Sequence, residues 1–599
     1  MSPKMTPKEA AVWDKFRGAM NRIMENEHQS IGTRIEQLAV EKPKELALFY
    51  QDKSWTWQTF NEECNRISNF FLELGLKRGD SVALMLENCP EYFFFVAGIN
   101  KIQGISALIN FNQRKQALTH SFNVAESKWI VVDGECLQFF NDIIDTLPHT
   151  PDQIFVINNP KMVKHNYIEL SDKLKSISNQ NPKTTFDSIL RETALYIYTS
   201  GTTGLPKAVI MQNFRLYTQA SILCAIADLQ PDDIIYIPTP LYHNVGIGCS
   251  WMKANLLGAK IALSKRFSAS EFWNDIRKFQ ASYFMYVGEI PRYLLNQPRS
   301  DYEKNHTLKK MLGLGLRKEI WEEFQERFGV DHIYEFYGST EGHRPLFNVD
   351  EIPGMVGRDN MAGFSLAKVD PETGEFYKNE KGYYVKCKPG DVGMGLIKVE
   401  ERGVFTGYKD REKTEKKLLQ NVFRKNDCYF NTGDLMKVHE DLWVSFVDRL
   451  GDTFRWKGEN VSTLEVEAIL NSHPTIQMSS VYGVAIPNTE GKAGMAAIKL
   501  DPAIKFNLDE FSQFILDVLP KYSIPIYIRI IKKVETTTSS FKIIKTTLCK
   551  EGYDIDKIKD TIYFWDSGAK NYVPFTDSIY WEIKQGKFGE MKPNIPISM

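Results

Sequence analysis

The sequence contains no long apolar run. No segment approaches the ~20 consecutive apolar residues that a membrane-spanning helix needs. The most apolar segment, residues 92–99, is followed at once by Asn100 and Lys101, so we expect a buried helix there. Residues 1–30 are too highly charged for the apolar core of a secretory signal peptide. These absences predict a cytoplasmic protein whose contact with a membrane, if it has one, is peripheral.

Cysteine is sparse and charge is balanced. The 8 cysteines include no pair at C-x-x-C spacing, which disfavours a zinc site and favours a reducing compartment. The 74 Lys and Arg residues stand against 75 Asp and Glu residues, so we expect no basic surface for nucleic acid. We also find no internal repeat and no low-complexity tract. A chain of 599 residues is too long for one core, and several lobes are therefore expected.

Helical and strand-like segments alternate along residues 29–190, which is typical of an α/β lobe with a largely parallel sheet. Residues 353–425 instead alternate short apolar segments with Gly and Lys turns, which predicts a small, partly antiparallel β subdomain. From Val461 onward the pattern again indicates a compact α/β domain. The predicted fold class is therefore α/β.

Residues 8–28 carry an apolar stripe at helical spacing, comprising Val12, Trp13, Phe16, Met20, Ile23 and Met24. Such a helix can lie on a membrane surface, but a stripe of this kind more often packs on its own protein. We therefore expect this helix to be part of the fold.

Small and hydroxylated residues follow an apolar strand that ends near Tyr198. They offer hydroxyl and backbone donors together with one lysine, a combination that suits a polyphosphate: Thr199, Ser200, Gly201, Thr202, Thr203, Gly204 and Lys207. The segment is not a Walker P-loop, because its glycines are too close together, Pro206 precedes the lysine and Ala208 follows it. It predicts a nucleotide phosphate site of another type.

A second motif, Tyr-Gly-Ser-Thr-Glu-Gly, spans residues 337–342. The preceding residues 333–337 read as a strand, and a tight turn at a strand end is the usual place for a ligand in an open α/β sheet. A carboxylate there, Glu341, suits Mg²⁺, which prefers hard oxygen ligands shared with substrate phosphates.

Both motifs resemble those of the adenylate-forming enzymes, a superfamily of acyl-CoA synthetases, luciferases and peptide-synthetase adenylation domains. Further segments follow in that superfamily's order, at residues 240–243, 429–435, 447–462 and 536–545. Residues 283–297 and 312–328 are similar to the branch of fatty acid transport proteins and very-long-chain acyl-CoA synthetases, which also includes carnitine-type CoA ligases. The resemblance extends from about residue 30 to about residue 590.

The resemblance implies a role for each matching residue. The implied catalytic residues are Lys542, Glu341 and His243, and Thr199 and Glu341 are the implied Mg²⁺ ligands. The implied contacts to ATP, the adenylate or CoA are Thr199, Ser200, Gly201, Thr202, Thr203, Gly204, Lys207, Tyr337, Gly338, Thr340, Asp434, Arg449, Lys457, Gly458 and Glu459. Asp434, expected at a strand end, would accept hydrogen bonds from both ribose hydroxyls.

Alternatives stay open at several of these positions. Relatives commonly carry Gly before the catalytic lysine, but this chain has Phe541, and Lys545 is a competing assignment. His243 could instead cap a turn. Many relatives have Asp or Lys at the hinge pivot where this chain has Gly451, whose backbone freedom still suits a hinge.

The resemblance implies an ATP-dependent ligase that converts a fatty acid through an acyl-adenylate into acyl-CoA, AMP and pyrophosphate, and the branch resemblance favours a long-chain acid. ATP and CoA are the implied co-substrates and Mg²⁺ the implied cofactor. It also implies a large domain, residues 1–450, and a smaller mobile domain, residues 451–599, that carries the catalytic lysine. The alternatives are a carnitine-type or short-acid CoA ligase, a non-enzymatic fatty-acid carrier, and an adenylation domain that serves a carrier protein. A homodimer is a further expectation, and the acid itself is left open.

Overall fold

The structure is a computed structural model of the chain. It describes residues 5–159, 163–199, 205–288, 290–342, 345–359, 363–370, 374–400, 405–450, 454–456, 459–487, 489, 491–532 and 545–588.

The first part of the chain alternates helices with short strands. Its helices are α1 (Pro7–Met24), α2 (Ile31–Glu41), α3 (Trp57–Glu73), α4 (Pro90–Lys101), α5 (Lys115–Ala125), α6 (Leu137–Asn141), α7 (Ser171–Ser176) and α8 (Asn213–Ala227). Its strands are β1 (Leu46–Tyr50), β2 (Lys53–Thr56), β3 (Ser81–Met85), β4 (Ile105–Leu108), β5 (Trp129–Asp133), β6 (Ile154–Ile157), β7 (Ile168–Glu169), β8 (Thr193–Thr199) and β9 (Lys207–Gln212).

The middle of the chain contains more strands and fewer helices. The helices are α9 (Met252–Leu257), α10 (Phe272–Phe279), α11 (Ile290–Leu295), α12 (Lys318–Phe328) and α13 (Arg411–Glu415). The strands are β10 (Ile234–Ile237), β11 (Lys260–Leu263), β12 (Tyr283–Val287), β13 (Lys310–Leu314), β14 (His332–Tyr337), β15 (Leu346–Asn348), β16 (Gly357–Arg358), β17 (Phe364–Lys368), β18 (Val392–Lys398), β19 (Leu418–Gln420), β20 (Cys428–Val438) and β21 (Trp443–Arg449).

The last part forms its own unit. The helices are α14 (Thr463–Asn471), α15 (Leu508–Val518), α16 (Lys545–Glu551) and α17 (Asp577–Lys584). The strands are β22 (Phe454–Trp456), β23 (Glu459–Val461), β24 (Ile476–Val484), β25 (Ala493–Leu500), β26 (Tyr527–Ile530), β27 (Thr561–Asp566) and β28 (Asn571–Pro574).

Two large sheets dominate the N-terminal part. A 7-stranded sheet has the order β7-β6-β5-β3-β4-β8-β9, and all its pairs are parallel except β8–β9. An 8-stranded sheet has the order β15-β14-β13-β12-β10-β11-β1-β2, antiparallel only at its two ends. Every residue of β3 and β12 is buried, as expected for parallel strands covered by helices on both faces.

The remaining sheets are mostly antiparallel. Strands β16 to β21 form one sheet, in the order β16-β21-β20-β18-β17, with β19 paired to β20. This sheet matches the predicted small β subdomain. The C-terminal unit holds the 5-stranded sheet β24 to β28 over a hydrophobic cluster that runs from Phe454 to Ile583. The predicted α/β class, with a large N-terminal domain and a smaller C-terminal one, is confirmed. The division at residue 450 stays a prediction.

Helix α1 packs on the protein itself, as predicted. Val12 and Ile23 are buried, and the ring of Trp13 lies 5.7 Å from that of Phe347 on β15. Glu9 is also buried and pairs with Arg358 at 3.3 Å. Among the described residues, no helix is both long and apolar enough to cross a membrane.

Candidate active site

The β8–β9 hairpin places Thr199 directly opposite Lys207. Residues 200–206 therefore connect two adjacent strand ends, which is the arrangement expected of a phosphate loop. Lys207 begins β9 and is only 8% exposed. Burial lowers the pKa of Lys207, and the neighbouring Lys417 and Lys413 lower it further. A negatively charged ligand here would relieve both effects. The loop predictions at Ser200, Gly201, Thr202, Thr203 and Gly204 lie outside the described residues.

Glu341 is held beside this hairpin by two hydroxyl groups. Thr199 donates a hydrogen bond from Oγ1 to Glu341 Oε1 at 2.8 Å, and Tyr408 donates to the same oxygen at 2.9 Å. Burial and the charge of Glu341 raise the pKa of Tyr408, so its hydroxyl stays protonated and remains a donor. The Lys207 Nζ atom lies 5.2 Å from the centre of the Tyr408 ring. The structure thus brings together the two motifs that the sequence separates.

The donor set around Glu341 fits Mg²⁺. Thr199 and Glu341 supply a hydroxyl and a carboxylate oxygen, both hard ligands, within hydrogen-bonding distance of each other. In the described part of the chain, no cluster of three or more His, Cys, Asp or Glu residues could hold a metal. Mg²⁺ commonly uses only one or two carboxylates and takes its other ligands from substrate phosphates and water, so one carboxylate suffices.

A buried arginine on α8, Arg215, holds the turn that carries Glu341. Its Nη2 atom donates to the carbonyl oxygens of Thr340 and Gly342, the latter at 3.0 Å. Its Nη1 atom donates to Thr406 Oγ1 at 2.7 Å. Burial lowers the pKa of Arg215 to about 10, although Glu341 opposes the shift. Sequence reasoning missed this residue, because no motif marks it and its partners are distant in sequence.

A second cluster lies where β14 meets the antiparallel subdomain. The hydroxyl of Tyr337 donates to Asp434 Oδ2 at 2.6 Å, and Arg449 Nε lies 3.4 Å from Asp434 Oδ1. Asp434 and Arg449 are also opposed in the β20–β21 ladder. Burial and Asp434 both raise the pKa of Tyr337 well above its ordinary value, so the donor is retained.

The prediction that Asp434 lies at a strand end is wrong. Strand β20 continues through Asp434 to Val438, because the residues after it pair with both β18 and β21. The ladder is irregular next to Asp434, with register shifts between Met394 and Leu396 and between Leu435 and Met436. Such bulges redirect side chains in the middle of a strand, and a sequence pattern does not show them.

His243 and the turn residues occupy the expected elements. His243 is half-buried in the turn before the π-helical segment Ile247–Trp251, and its Nδ1 atom accepts from the Val245 amide at 3.3 Å. Gly338 follows β14 directly, and the carbonyl of Thr340 accepts from Arg215. A histidine that caps a turn makes the same contact with a backbone amide two residues later. The catalytic role of His243 stays a prediction.

Asp448, in the predicted hinge, is hydrogen-bonded to the first residue of α14 in the C-terminal domain. The backbone amide and hydroxyl of Thr463 both donate to Asp448 Oδ2, at 3.0 and 2.8 Å. Lys545 donates to Thr463 Oγ1 at 2.6 Å and pairs with Glu467 at 3.0 Å. The competing catalytic lysine is therefore engaged within its own domain.

The predicted thioester-step residues Lys457 and Gly458, and the catalytic candidate Lys542, lie outside the described residues. Glu459 begins β23, but the structure does not describe its side chain.

Solved structures share this architecture. The crystal structure of the anthranilate CoA ligase AuaEII in complex with anthranoyl-AMP superposes with a TM-score of 0.75 at 22% identity, over 88% of this chain and 98% of that one. At this identity the likeness shows the fold alone.

Curated proteins match over nearly the whole length. Long-chain fatty acid transport protein 6 of Mus musculus is 39% identical over 90% of this chain and 88% of its own. The medium/long-chain-fatty-acid–CoA ligase FadD6 of Mycobacterium tuberculosis is 33% identical over 95% of this chain and 94% of its own. The AMP-binding enzyme family matches residues 35–409, and the C-terminal domain of AMP-binding enzymes matches residues 465–542. The chain therefore belongs to the AMP-binding enzyme family, in the branch of the fatty acid transport proteins, as the motifs predicted.

Proposed function

We propose that this protein is an ATP-dependent fatty acid–CoA ligase that forms acyl-CoA, AMP and pyrophosphate through an acyl-adenylate. The observation that carries the proposal is one contact: Thr199 Oγ1 lies 2.8 Å from Glu341 Oε1. Thr199 is also the residue opposite Lys207 in the β8–β9 hairpin. The contact joins a phosphate-binding strand end to a carboxylate from a different sheet. The relatives' names support a long-chain or medium-chain fatty acid as the substrate.

In the first step the fatty carboxylate attacks the α-phosphorus of ATP, and pyrophosphate leaves. Negative charge builds up on the phosphoryl oxygens, so donors already in place stabilise the transition state. Thr199 and Lys207 supply a hydroxyl and a positive charge from the strand ends, and Lys542 is proposed to add a second charge. Mg²⁺ bound at Glu341 would neutralise phosphate charge.

The nucleoside end is proposed to bind at Asp434. Tyr337 occupies Asp434 Oδ2 and Arg449 lies near Oδ1, so the carboxylate has a fixed orientation. A carboxylate is an acceptor with about four lone-pair sites, so it can still accept from ribose hydroxyls. The same aspartate then fixes the position of the sugar.

In the second step the CoA thiolate attacks the acyl carbonyl and AMP leaves. We propose that the C-terminal domain turns about residues 448–452, withdrawing Lys542 and bringing in residues 457–460. Lys542 and the loop that begins at residue 457 cannot both face the adenylate at once, so a domain rotation separates the two steps. A homodimer and peripheral membrane contact stay predictions.

The test is ATP–pyrophosphate exchange with a panel of fatty acids and carnitine-type acids, followed by AMP release with and without CoA. We expect exchange with fatty acids and AMP release that depends on CoA. Glu341→Gln should lower exchange by about 100-fold, whereas Glu322→Gln, on the exposed face of α12, should not. Absence of exchange with every acid would favour a non-enzymatic carrier, and AMP release that ignores CoA would favour an adenylation domain for a carrier protein.

A further inference from the structure

A third segment of the chain, residues 406–409, lies along the β8–β9 hairpin. Tyr408 in this segment forms an antiparallel bridge with Val209 on β9, and the Lys409 amide donates to the Ala208 carbonyl at 2.8 Å. Strand β9 therefore pairs with β8 along one edge and with the 406–409 segment along the other. This pairing fixes the backbone of Tyr408 next to the start of β9.

The side chain of Tyr408 touches both charged groups of the candidate site. It is buried, and its hydroxyl donates to Glu341 Oε1 at 2.9 Å. The Lys207 Nζ atom lies over its ring, 5.2 Å from the ring centre. The hydroxyl thus serves an anion and the ring serves a cation, because a carboxylate accepts hydrogen bonds and an ammonium group is attracted to an aromatic face.

The two oxygens of the Glu341 carboxylate are engaged differently. Tyr408 and Thr199 both donate to Oε1, at 2.9 and 2.8 Å. A carboxylate has about four lone-pair sites on its two oxygens, so two donors fill the capacity of Oε1. A metal ion at this carboxylate would therefore bind through Oε2.

The backbone anchors of Tyr408 do not depend on its hydroxyl. Thr406, in the same segment, accepts a hydrogen bond from Arg215, which also donates to two carbonyl oxygens of the turn at residues 340–342. Because Arg215 links the segment to the turn, both stay in place when the hydroxyl is removed. What changes is the orientation of the carboxylate.

We propose that Tyr408 is a positioning residue of the nucleotide site: its hydroxyl orients Glu341 to bind Mg²⁺ through Oε2 alone, and its ring orients Lys207 toward the nucleotide phosphates. This inference rests on the proposed ligase function and adds a residue to its site. Groups that orient a metal ligand typically contribute about 10- to 100-fold to metal affinity. The hydroxyl and the ring should therefore affect two separately measurable quantities, the contribution of the metal and the binding of the phosphates.

Two substitutions separate these roles. Tyr408→Phe keeps the ring and removes the hydroxyl, whereas Tyr408→Leu removes both. Calorimetric titration with α,β-methylene ATP, which cannot be adenylated, gives one Kd in excess Mg²⁺ and another in EDTA. The factor by which Mg²⁺ tightens binding should fall about tenfold in both variants. The Kd in EDTA should stay unchanged in Tyr408→Phe and rise about fivefold in Tyr408→Leu, because only the second variant loses the contact with Lys207.

Tyr196, on β8, provides the matched control, because Lys409 lies 5.1 Å from the centre of its ring. Tyr196→Phe and Tyr196→Leu should leave both Kd values unchanged, and urea unfolding checks that every variant is folded.

Three results would overturn the inference while the ligase function stands. They are an unchanged Mg²⁺ factor in Tyr408→Phe, an equal Kd in EDTA for the two Tyr408 variants, and a parallel weakening of both Kd values in Tyr408→Phe. The last of these would assign Tyr408 a purely structural role. Failure of the unmodified protein to bind the analogue would instead count against the ligase function, and this inference would fall with it.

Discussion

The carboxylate of Glu467 lies 2.9 Å from the guanidinium of Arg317, and this contact joins α14 of the C-terminal domain to the segment before α12. Glu467 is only 1% exposed and also pairs with Lys545. Burial alone would raise the pKa of Glu467, but Lys545 and Arg317 outweigh it and lower the pKa. The domain contact therefore depends on a buried charge with two cationic partners.

We expect Glu467→Gln to lower the free energy of unfolding by about 3 kcal/mol, because it leaves two half-buried cations without their carboxylate. Chemical denaturation at neutral pH measures this. The pKa of Glu467 is lowered in the folded state, so its contribution is present above the ordinary carboxyl range and is lost on acidification through the folded pKa. The difference from the unmodified protein should therefore shrink in acid. Glu465→Gln, exposed on the same helix, should change stability by less than about 0.5 kcal/mol.

Lys542→Ala should abolish adenylate formation but largely spare thioester formation from supplied acyl-adenylate. Lys545→Ala should instead lower stability, because Lys545 is engaged by Glu467 and Thr463. Separate assays of the two half-reactions distinguish the variants. Equal loss of both half-reactions in Lys542→Ala would reject its assignment, and selective loss of adenylation in Lys545→Ala would transfer the role to Lys545.

Tyr337→Phe should raise the KM for ATP about tenfold, because Asp434 loses the donor that fixes its orientation. Burial keeps this phenol protonated, so we expect the effect to be the same from neutral to mildly alkaline pH. Tyr334→Phe, half-buried on the same strand, is the control. An unchanged KM in Tyr337→Phe would remove the Tyr337–Asp434 contact from the nucleotide site.

Arg215→Met should lower kcat about tenfold or more while it changes the KM for the fatty acid little. Arg215 donates hydrogen bonds to the turn that carries Glu341, so we describe it as a positioning residue. Exchange kinetics give the two parameters. Arg191→Met, whose guanidinium lies outside this network over the Phe214 ring, should leave both unchanged. A change confined to KM would contradict the positioning role.

Glu335→Gln should make stability less sensitive to pH between the ordinary carboxyl range and about 8. Burial raises the pKa of Glu335 to about 8, against hydrogen bonds from Tyr286 and the Gly315 and Leu316 amides. The folded protein thus holds a proton that the unfolded chain releases, and stability is lost as pH rises through about 8. Urea unfolding at several pH values between about 5 and 8 measures the slope, and Glu326→Gln on α12 is the exposed control. An equal slope in Glu335→Gln would contradict the shift.

The motifs were predictable from sequence because each contains its own chemistry within a few residues. The Gly, Ser and Thr residues beside one lysine at 199–207 indicate a phosphate-binding site whatever fold surrounds them. The apolar strand before Glu341 indicates that this carboxylate lies in a turn at a strand end. The spacing of Ile320, Trp321, Phe324 and Phe328 indicates a helix from Lys318 to Phe328, and α12 has these bounds, because such spacing is a local pattern.

The rest depended on contacts between distant segments. Nothing in the local sequence distinguishes Arg215 from other residues of its helix. Its partners, Thr340, Gly342 and Thr406, come from two distant segments of the chain. The place of Asp434 within β20 depended on two partner strands and a bulge. A single sequence does not encode these pairings in any local pattern.

Asp434 and Arg449 face each other across one hairpin, and Arg449, the last residue of its strand, lies within the proposed hinge at residues 448–452. Asp434, the proposed ribose anchor, would therefore lie on the stationary side of the proposed domain rotation, directly beside the hinge. An acyl-adenylate bound there would stay in place while the C-terminal domain withdraws Lys542 and brings in the loop that begins at residue 457. The adenylate would then need neither release nor rebinding between the two half-reactions, and little of it would escape to hydrolysis.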